Sequence, residues 1–412
     1  MIVQRSEQHI IKRNNRYYPM LSDFCFKSKN LYNHATYVIR QEFISSGKWI
    51  RYQDLDRLLK IDVDYPDYRN MPTVHSAQQL LKIVDNTWKS FFKSIKDWSK
   101  HNDKYLGRPN LPRYLKKSSR TVLILTNQNV RLVKDVLKFP KTFDGFTLNP
   151  QCIHKDHFKS IQQVRFVPKS NYIVVEVIYN VEVSDEVMPD NGRYMSIDLG
   201  IDNLATITYN FGECPIIING KGLKSINQYY NKYLAHYQRI AKMHNNRHRT
   251  NRVDRLTSTR NRRIFDGMHK ISRYIVDEAI RHNVCTLIIG YNKEWKQSSE
   301  MTKKVNQKFV QIPFNQLIQR IEYKAREVGI RVILTEENYT SGTSFLDQET
   351  PIKEFYNKHR RIHRGLFKSN TSKLINSDVN GSLQIMKKVF PNAYDSYGIE
   401  DVVLHPIKVN AC

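Results

Sequence analysis

The chain has 412 residues, with 66 Lys plus Arg against 39 Asp plus Glu, a formal net charge of +27 at pH 7. That length predicts two or three domains, and the charge imbalance predicts a polyanionic partner. With 40% apolar residues, 15 Gly and 14 Pro, a collagen-like or low-complexity chain is excluded, as is wholesale disorder.

From Phe24 to Trp98 the pattern is helical. Leu31, Ala35, Val38 and Ile39 recur at three to four residue spacing, Leu55, Leu58 and Leu59 follow a turn at Ser45-Ser46-Gly47, and Ala77, Leu81, Val84, Trp88, Phe91, Ile95 and Trp98 form a long stripe. The aromatic members of that stripe are of a kind that stacks nucleic-acid bases, but their regular period favours the core of a helical bundle.

Between Thr121 and Val183 the rhythm changes to β-branched runs, VRLVKDVLKF, VRFVPK and YIVVEVIYN. They read as a small antiparallel sheet or barrel. The first twenty residues hold further short extended segments, QHIIKR and NRYYPM, so the helical block reads as an insertion into a β-domain built from both flanks. A polar stretch around Ser184 to Gly192 sets a domain boundary near 186. Beyond it YMSIDLG, LATITYN and PIIIN are three successive strands, two long helices run through about 223 to 282, CTLIIG is a buried strand, FNQLIQRIEYKAREVG an amphipathic helix and IRVILTEE another strand. Three hairpin-linked strands followed by helix, strand, helix, strand is the order of an RNase H-like α/β fold.

The five cysteines, Cys25, Cys152, Cys214, Cys285 and Cys412, include no CxxC or CxH pair. Structural zinc and a disulfide framework are therefore not expected, and a reducing interior is. MIVQRSEQHIIKRNN lacks a signal-peptide apolar run, and no stretch approaches the ~18 apolar residues that cross a bilayer. The expectation is a cytoplasmic, nucleoid-associated protein whose polyanion is nucleic acid, with no membrane partner.

Two carboxylates stand out. Asp198 ends the strand YMSIDLG just before Gly200, where a turn aims an acid out of a sheet and leaves the backbone close to a ligand. Asp202, next in line, reads as a local turn cap. Asp378 opens DVNGSLQIMKKVF, where Asp also serves as a helix cap. As a pair at a strand end and a helix start, Asp198 and Asp378 have the chemistry to bind divalent cations through oxygen and so to assist phosphodiester hydrolysis.

At this point the sequence resembles the transposon-associated TnpB family, RNA-guided nucleases related to the type V CRISPR effectors. The resemblance rests on SIDLGIDNLATIT at 196 to 208, IIGYNKEWKQ at 288 to 297, NQKFVQIPFNQLIQRIEYKAREVGI at 306 to 330, ENYTS at 337 to 341, RGLFKS at 364 to 369 and INSDVNGS at 375 to 382. It implies a multidomain α+β protein. A wedge β-barrel (1–20 plus 115–185) would carry an inserted helical recognition lobe (21–114), followed by an RNase H-like RuvC nuclease domain (186–340 plus 373–405) with a target-nucleic-acid-binding insertion at 341–372. It further implies Mg2+, with Mn2+ as substitute, a guide RNA from the element's own end, and target double-stranded DNA. Residue by residue, Asp198 matches the aspartate of the first RuvC motif and Asp378 that of the third, both metal ligands.

The second motif departs from the pattern, because CTLIIG puts Gly290 where the family's catalytic carboxylate is expected. A replacement from IRVILTEENYTS is the natural candidate if that strand lies beside CTLIIG. Successive side chains on a strand face opposite ways, so only one of Glu336 and Glu337 would face the metals; Glu337, nearer the loop, is favoured as metal ligand and catalytic residue, with Glu336 and Glu294 as alternatives. The zinc-ribbon cysteines of many relatives are also missing after ENYTS. His359 and His363, four apart, lack a third ligand and read, with Arg360 and Arg361, as a basic nucleic-acid contact.

Gln238 to Arg263 contains nine Lys or Arg and one acid, Asp254. An ordinary solvated helix balances its charges at i,i+4. Arg247, Arg249, Arg252, Arg255, Arg262 and Arg263 are therefore expected to contact phosphates of RNA or an RNA–DNA hybrid. The sequence reads as a guide-RNA-dependent DNA endonuclease that cuts beside a short adjacent motif. Its rivals are a guided DNA-binding protein that does not cut, favoured by Gly290, and a transposase acting directly on element ends.

Overall fold

The computed structural model describes residues 1–292, 311–363, 365–394 and 402–410. The chain divides into two compact units, Met1–Val183 and Ser184–Cys412.

In the first unit, strand β1 (Ile2–Lys12) leads into three helices, α1 (Tyr18–Ser46), α2 (Tyr52–Ile61) and α3 (Val74–Trp98). Their repeating apolar positions meet in one core: Leu31, Ala35 and Ile39 of α1, Leu55 and Leu59 of α2, and Ala77, Leu81, Val84 and Trp88 of α3 are all buried there. Gly47 closes α1 with φ 71° and donates its N–H to the Phe43 carbonyl, the left-handed stop that glycine supplies best. Thr73 and Ser76 form a reciprocal capping box at the start of α3.

Four strands follow the helices: β2 (Leu123–Thr126), then β3 (Arg131–Val133), β4 (Val136–Lys138) and β5 (Thr147–Leu148), the last three forming a small antiparallel sheet. Lys134 and Asp135, both at positive φ, turn β3 into β4. Two long strands, β6 (Phe158–Pro168) and β7 (Tyr172–Glu182), complete a sheet ordered β1-β7-β6-β2. Strand β1 pairs antiparallel with β7 from Ile2↔Glu182 to Lys12↔Tyr172, so the strand before the helices lies beside the last strand after them. NRYYPM differs from its extended reading. It forms a turn and the first turn of α1, where Pro19 sits at a position whose N–H needs no intrahelical partner.

The second unit is built on β8 (Tyr194–Leu199), β9 (Asn203–Tyr209) and β10 (Ile216–Asn219), then the long helices α4 (Lys221–Asn245) and α5 (Asn251–Arg281), β11 (Thr286–Gly290), α6 (Phe314–Glu327) and β12 (Arg331–Thr335). A three-stranded sheet, β13 (Arg361–His363), β14 (Leu366–Lys368) and β15 (Leu374–Asn376), leads into α7 (Ser377–Val389). The main sheet has the order β12-β11-β8-β9-β10-β16, where β16 (Ile407–Val409) adds a parallel edge strand beside β10 that the sequence reading did not foresee. β8, β9 and β10 are antiparallel neighbours, while β11 and β12 run parallel to β8 on its other side.

Strand alternation sorts the side chains of this sheet. Met195, Ile197 and Leu199 of β8 and Leu287 and Ile289 of β11 join the core that also contains Met268 and Ile271 of α5 and Leu317 and Ile321 of α6. The other face carries Ile288, which packs with Val379, Leu383 and Ile385 of α7. Asp198 and Gly290 therefore share the α7 side of the sheet.

Candidate active site

Three segments converge at the ends of β8, β11 and β12. The β8–β11 register pairs Ile197 with Ile289, which sets Asp198 and Gly290 side by side as next neighbours. Both point towards α7. A Cβ added at Gly381 would stand 3.0 Å from Asp198 Oδ2, and one added at Gly290 would stand 2.6 Å from Ile385 Cδ1. Gly381 and Ile385 are one helical turn apart, so a single face of α7 lies over both strand ends.

Buried hydroxyl groups set the height of α7 over the sheet. Ser196 Oγ lies 2.7 Å from Thr208 Oγ1 and donates to the Ser382 carbonyl at 2.7 Å, and Thr208 Oγ1 is 2.9 Å from Ser382 Oγ. All three residues are fully buried. Buried hydroxyls are costly unless bonded, so this trio favours one seating of the helix over its neighbours. Asn380, also buried, holds the loop before it: its Nδ2 donates to the Thr343 carbonyl and its Oδ1 accepts from the Phe345 N–H.

Asp378 is not the cap of α7. Asn376 is, accepting from the N–H groups of Asp378 and Val379 through Oδ1, which leaves the Asp378 carboxylate to face outward. Its Oδ2 accepts from Asn203 Nδ2 at 2.7 Å and its Oδ1 from Arg361 Nη2 at 3.2 Å. Burial first, and then the Asp378 carboxylate, push the Asp198 carboxyl up to about 7, while Arg361 and the Leu199 backbone N–H favour its ionised form. A buried carboxyl whose ionised form is disfavoured by a neighbouring carboxylate makes with it an acidic site that a cation would relieve. Asp202 stands apart, in an ion pair with Lys224 Nζ at 2.6 Å.

Glu337 follows β12 on the parity of Thr335, and Glu336 is exposed. The Cβ that Gly290 lacks would stand 2.7 Å from Glu337 Oε1 and 2.8 Å from its Cγ. The Glu337 side chain thus fills the space in which a side chain at 290 would begin, with Oε1 shut off from solvent. Two contacts hold its backbone: Thr340 Oγ1 donates to the Glu337 carbonyl at 2.8 Å, and Lys388 Nζ at the end of α7 donates to the Glu336 and Asn338 carbonyls. Glu294 lies outside the described residues. Among the described residues no three His, Cys, Asp or Glu side chains gather closely enough to enclose a metal ion. The donors present are nonetheless hard oxygens on adjacent strand and helix ends, the chemistry that suits Mg2+ or Mn2+.

The basic residues separate into two groups. Arg247, Arg249, Arg252, Arg255, Arg262 and Arg263 are all exposed. At ~100° per residue, Arg252, Arg255, Arg262 and Arg263 share about a third of the circumference of α5, opposite Val253, Ile264 and Met268, which are buried. Arg249 Nε also donates to Asp254 Oδ1, and the Arg252 guanidinium lies 4.4 Å from the Tyr237 ring centre. Arg360 differs from its sequence reading as a surface contact. It is 15% exposed and paired at 2.6 Å with Glu349, itself 10% exposed, so its guanidinium braces the insertion from within. Arg361 remains accessible but reaches the acidic pair.

Sequence reasoning missed Asn203, Gly381 and the Ser196–Thr208–Ser382 group. The signal was present in NSDVNGS, seven residues without a large apolar side chain at the start of a helix that is buried along most of its length.

Known proteins match the segments that carry this geometry. The family described as "Probable transposase" (OrfB_IS605) matches residues 176–296, which contain β8 to β11, and the family described as "Cas12f1-like, TNB domain" matches residues 314–385, from α6 into α7. A TnpB-like protein, ORF457 of Acidianus two-tailed virus, is 23% identical over 402 residues, covering 88% of this chain and 81% of its own length.

The chain is similar to a TnpB-like protein along most of its length.

Two solved structures align along nearly the whole chain. A Cas12f1–sgRNA–target DNA complex is 14% identical, with a TM-score of 0.37, covering 93% of this chain and 98% of that one. CasPhi-2 (Cas12j) bound to crRNA is 7% identical, with a TM-score of 0.43, covering 95% of this chain and 98% of that one. No helix among the described residues is long and apolar enough to cross a membrane.

Proposed function

We propose that this protein is an RNA-guided DNA endonuclease of a transposable element, which opens double-stranded target DNA beside a short adjacent motif and hydrolyses its phosphodiesters. One observation carries the catalytic assignment: the Glu337 side chain fills the place of the missing residue-290 side chain, beside Asp198 and on the same face of the sheet. Asp198, Asp378 and the relocated Glu337 would hold Mg2+ or Mn2+. Such an ion, when bound, lowers the pKa of an attacking water and balances the charge of the phosphate.

The protein's own groups do the positioning. Asn203 orients Asp378 through its amide, the hydroxyl trio sets α7 so that Gly381 leaves room for Asp198, and Arg361 offers a positive charge where a phosphate would approach. The water oxygen bonds to phosphorus as the bridging sugar oxygen departs. The main sheet's order, three antiparallel strands with two parallel strands on the far side of β8, supports an RNase H-like RuvC domain over 186–340 and 373–405, with 341–372 as the target-nucleic-acid-binding insertion. The β1-β7-β6-β2 sheet supports a wedge β-barrel (1–20 plus 115–185) around the helical lobe at 21–114. The arginine face of α5 suits the backbone of guide RNA or hybrid duplex. Each of Arg252, Arg255, Arg262 and Arg263 changed to Ala should flatten the salt dependence of RNA binding by about 0.7 to 0.9 in slope, read from log K against log salt.

A second reading, guided binding without cutting, is favoured by Gly290, which leaves β11 without a carboxylate of its own beside Asp198. Purified ribonucleoprotein with target DNA distinguishes the two. Cutting in Mg2+ or Mn2+ that Asp198→Ala abolishes supports the nuclease, and firm target binding without cutting at any concentration of either ion rejects it. Strand transfer of element ends in the absence of RNA would instead assign a transposase.

A further inference from the structure

The stripe on α3 changes character along its length. Trp88 is fully buried, but one turn later Phe91 and Phe92 are only partly covered and line a groove of about 620 Å³. Phe43 of α1 completes an apolar floor, with ring centres 5.4 Å from Phe92, and Phe91 lies 5.2 Å from Phe92. The rim is cationic: Arg40, Arg108 and Arg113 line the same groove, and no acidic residue does. Arg40 is already ordered, donating to the Pro112 carbonyl at 3.2 Å with its guanidinium 5.1 Å from the Tyr114 ring centre. This bond ties the segment that carries Arg108 and Arg113 to α1.

We propose that this groove binds one unpaired nucleotide of RNA, its base against the phenylalanine rings and its phosphates at the arginines. The RNA-guided reading above supplies the ligand on which this inference rests. The volume falls within the range of small-ligand sites, and rings edged by guanidinium groups suit a planar aromatic anion. Inorganic phosphate alone would leave the rings unused, and an apolar peptide would leave three arginines facing no charge. RNA is favoured over DNA because loops and bulges of RNA present bases already splayed out, whereas a base in duplex DNA must first be unstacked and unpaired. Asn110, also on the wall, carries an amide able to pair with a base edge or a 2′-hydroxyl.

The test measures equilibrium binding of the full chain to a twelve-nucleotide single-stranded RNA, to DNA of the same sequence and to the RNA duplex. Phe91→Leu keeps apolar bulk but removes the stacking face; it should weaken single-stranded RNA roughly five- to a hundredfold, with less than a twofold change for the other two probes. Phe91→Tyr should restore binding. Arg108→Gln, at an exposed loop position, repeats the test should Phe91→Leu lose its thermal transition, and should weaken single-stranded RNA more than duplex. Unchanged RNA affinity in both variants overturns the proposal. Equal losses on RNA and DNA strands overturn the RNA assignment, and equal losses on duplex reduce the groove to a charged surface. Because binding is read without cutting, a chain that proves unable to cleave can still pass, and a ribonucleoprotein that cleaves normally can still fail.

Discussion

The two faces of the six-stranded sheet are both buried, yet they are made of different chemistry. Against α5 and α6 the contacts are aliphatic: Met195, Ile197, Leu199, Leu287 and Ile289 meet Met268, Ile271, Leu317 and Ile321. Against α7 the sheet presents Ser196, Thr208, Asp198 and Gly290 beside the apolar Ile288, and the helix adds the buried Asn380, Gly381, Ser382 and Gln384 to its apolar Val379, Leu383 and Ile385. Apolar contacts tolerate small shifts, because dispersion and burial depend weakly on direction. Hydrogen-bonded hydroxyls and amides do not, since a displaced partner leaves a desolvated polar group unpaired. The contrast teaches where packing alone suffices and where positioning is added: one face is held by apolar contacts, and the other adds hydrogen bonds that fix α7 over Asp198.

The largest effect should come from the polar face. Asp198→Ala is expected to lower the cutting rate by roughly a thousandfold, corresponding to the several kcal/mol that cation-assisted catalysis contributes, while target binding stays within twofold. Retained cutting would remove Asp198 from the mechanism and dissolve the contrast. Its apolar neighbour should behave oppositely. Ile197→Ala, behind the sheet, should lose about 2–5 kcal/mol of stability in urea unfolding but leave the rate per folded molecule near wild type.

The proposed relocation of a third carboxylate has a sharper test. Glu337→Gln should slow cutting roughly ten- to a hundredfold, and the exchange Gly290→Glu with Glu337→Gly should recover much of that loss once the Ile385 methyl gives way. If the exchange is no better than Glu337→Gly alone, the space shared by these two positions has no catalytic meaning.

The smallest expected effect comes from a polar intruder on the apolar side. Lys324 of α6 donates from Nζ to the His269 carbonyl and to Ser272 Oγ, and burial pulls its pKa down from 10.5 to about 8. Below pH 8 the ammonium is charged in both folded and unfolded chains and its burial is a cost. Between pH 8 and 10.5 the folded chain releases the proton first, so wild-type stability should rise with pH across that window. Lys324→Met should flatten that rise in a pH series of thermal melts.

Much of this was legible along the chain. The spacing of Leu31, Ala35 and Ile39 marks α1 because a helix returns to the same face every 3.6 residues, and alternation in YMSIDL assigns Ile197 and Asp198 to opposite faces without coordinates. The site was legible in part. Asp198 and Asp378 announce themselves as acids at element ends, but Asn203, Gly381 and Ser382 are ordinary polar or small residues whose value lies in what they touch. Arg360 and Arg361 are adjacent and chemically identical in sequence, yet one braces Glu349 inside the insertion and the other faces Asp378. The stripe through Trp88 and Phe91 has one period, but Trp88 is fully buried while Phe91 is partly open and lines a groove.

By itself, the sequence determined the helices and strands, the face that each residue presents and the strong positive charge, since these follow from backbone geometry and composition over a few residues at a time. Only the tertiary structure decided that Gly290 and Glu337 occupy one place, that Gly381 clears room for Asp198 and that three phenylalanines remain partly open beneath arginines. Such meetings depend on the register between segments far apart in the chain, and that register is set by packing summed over the whole unit rather than by any local pattern.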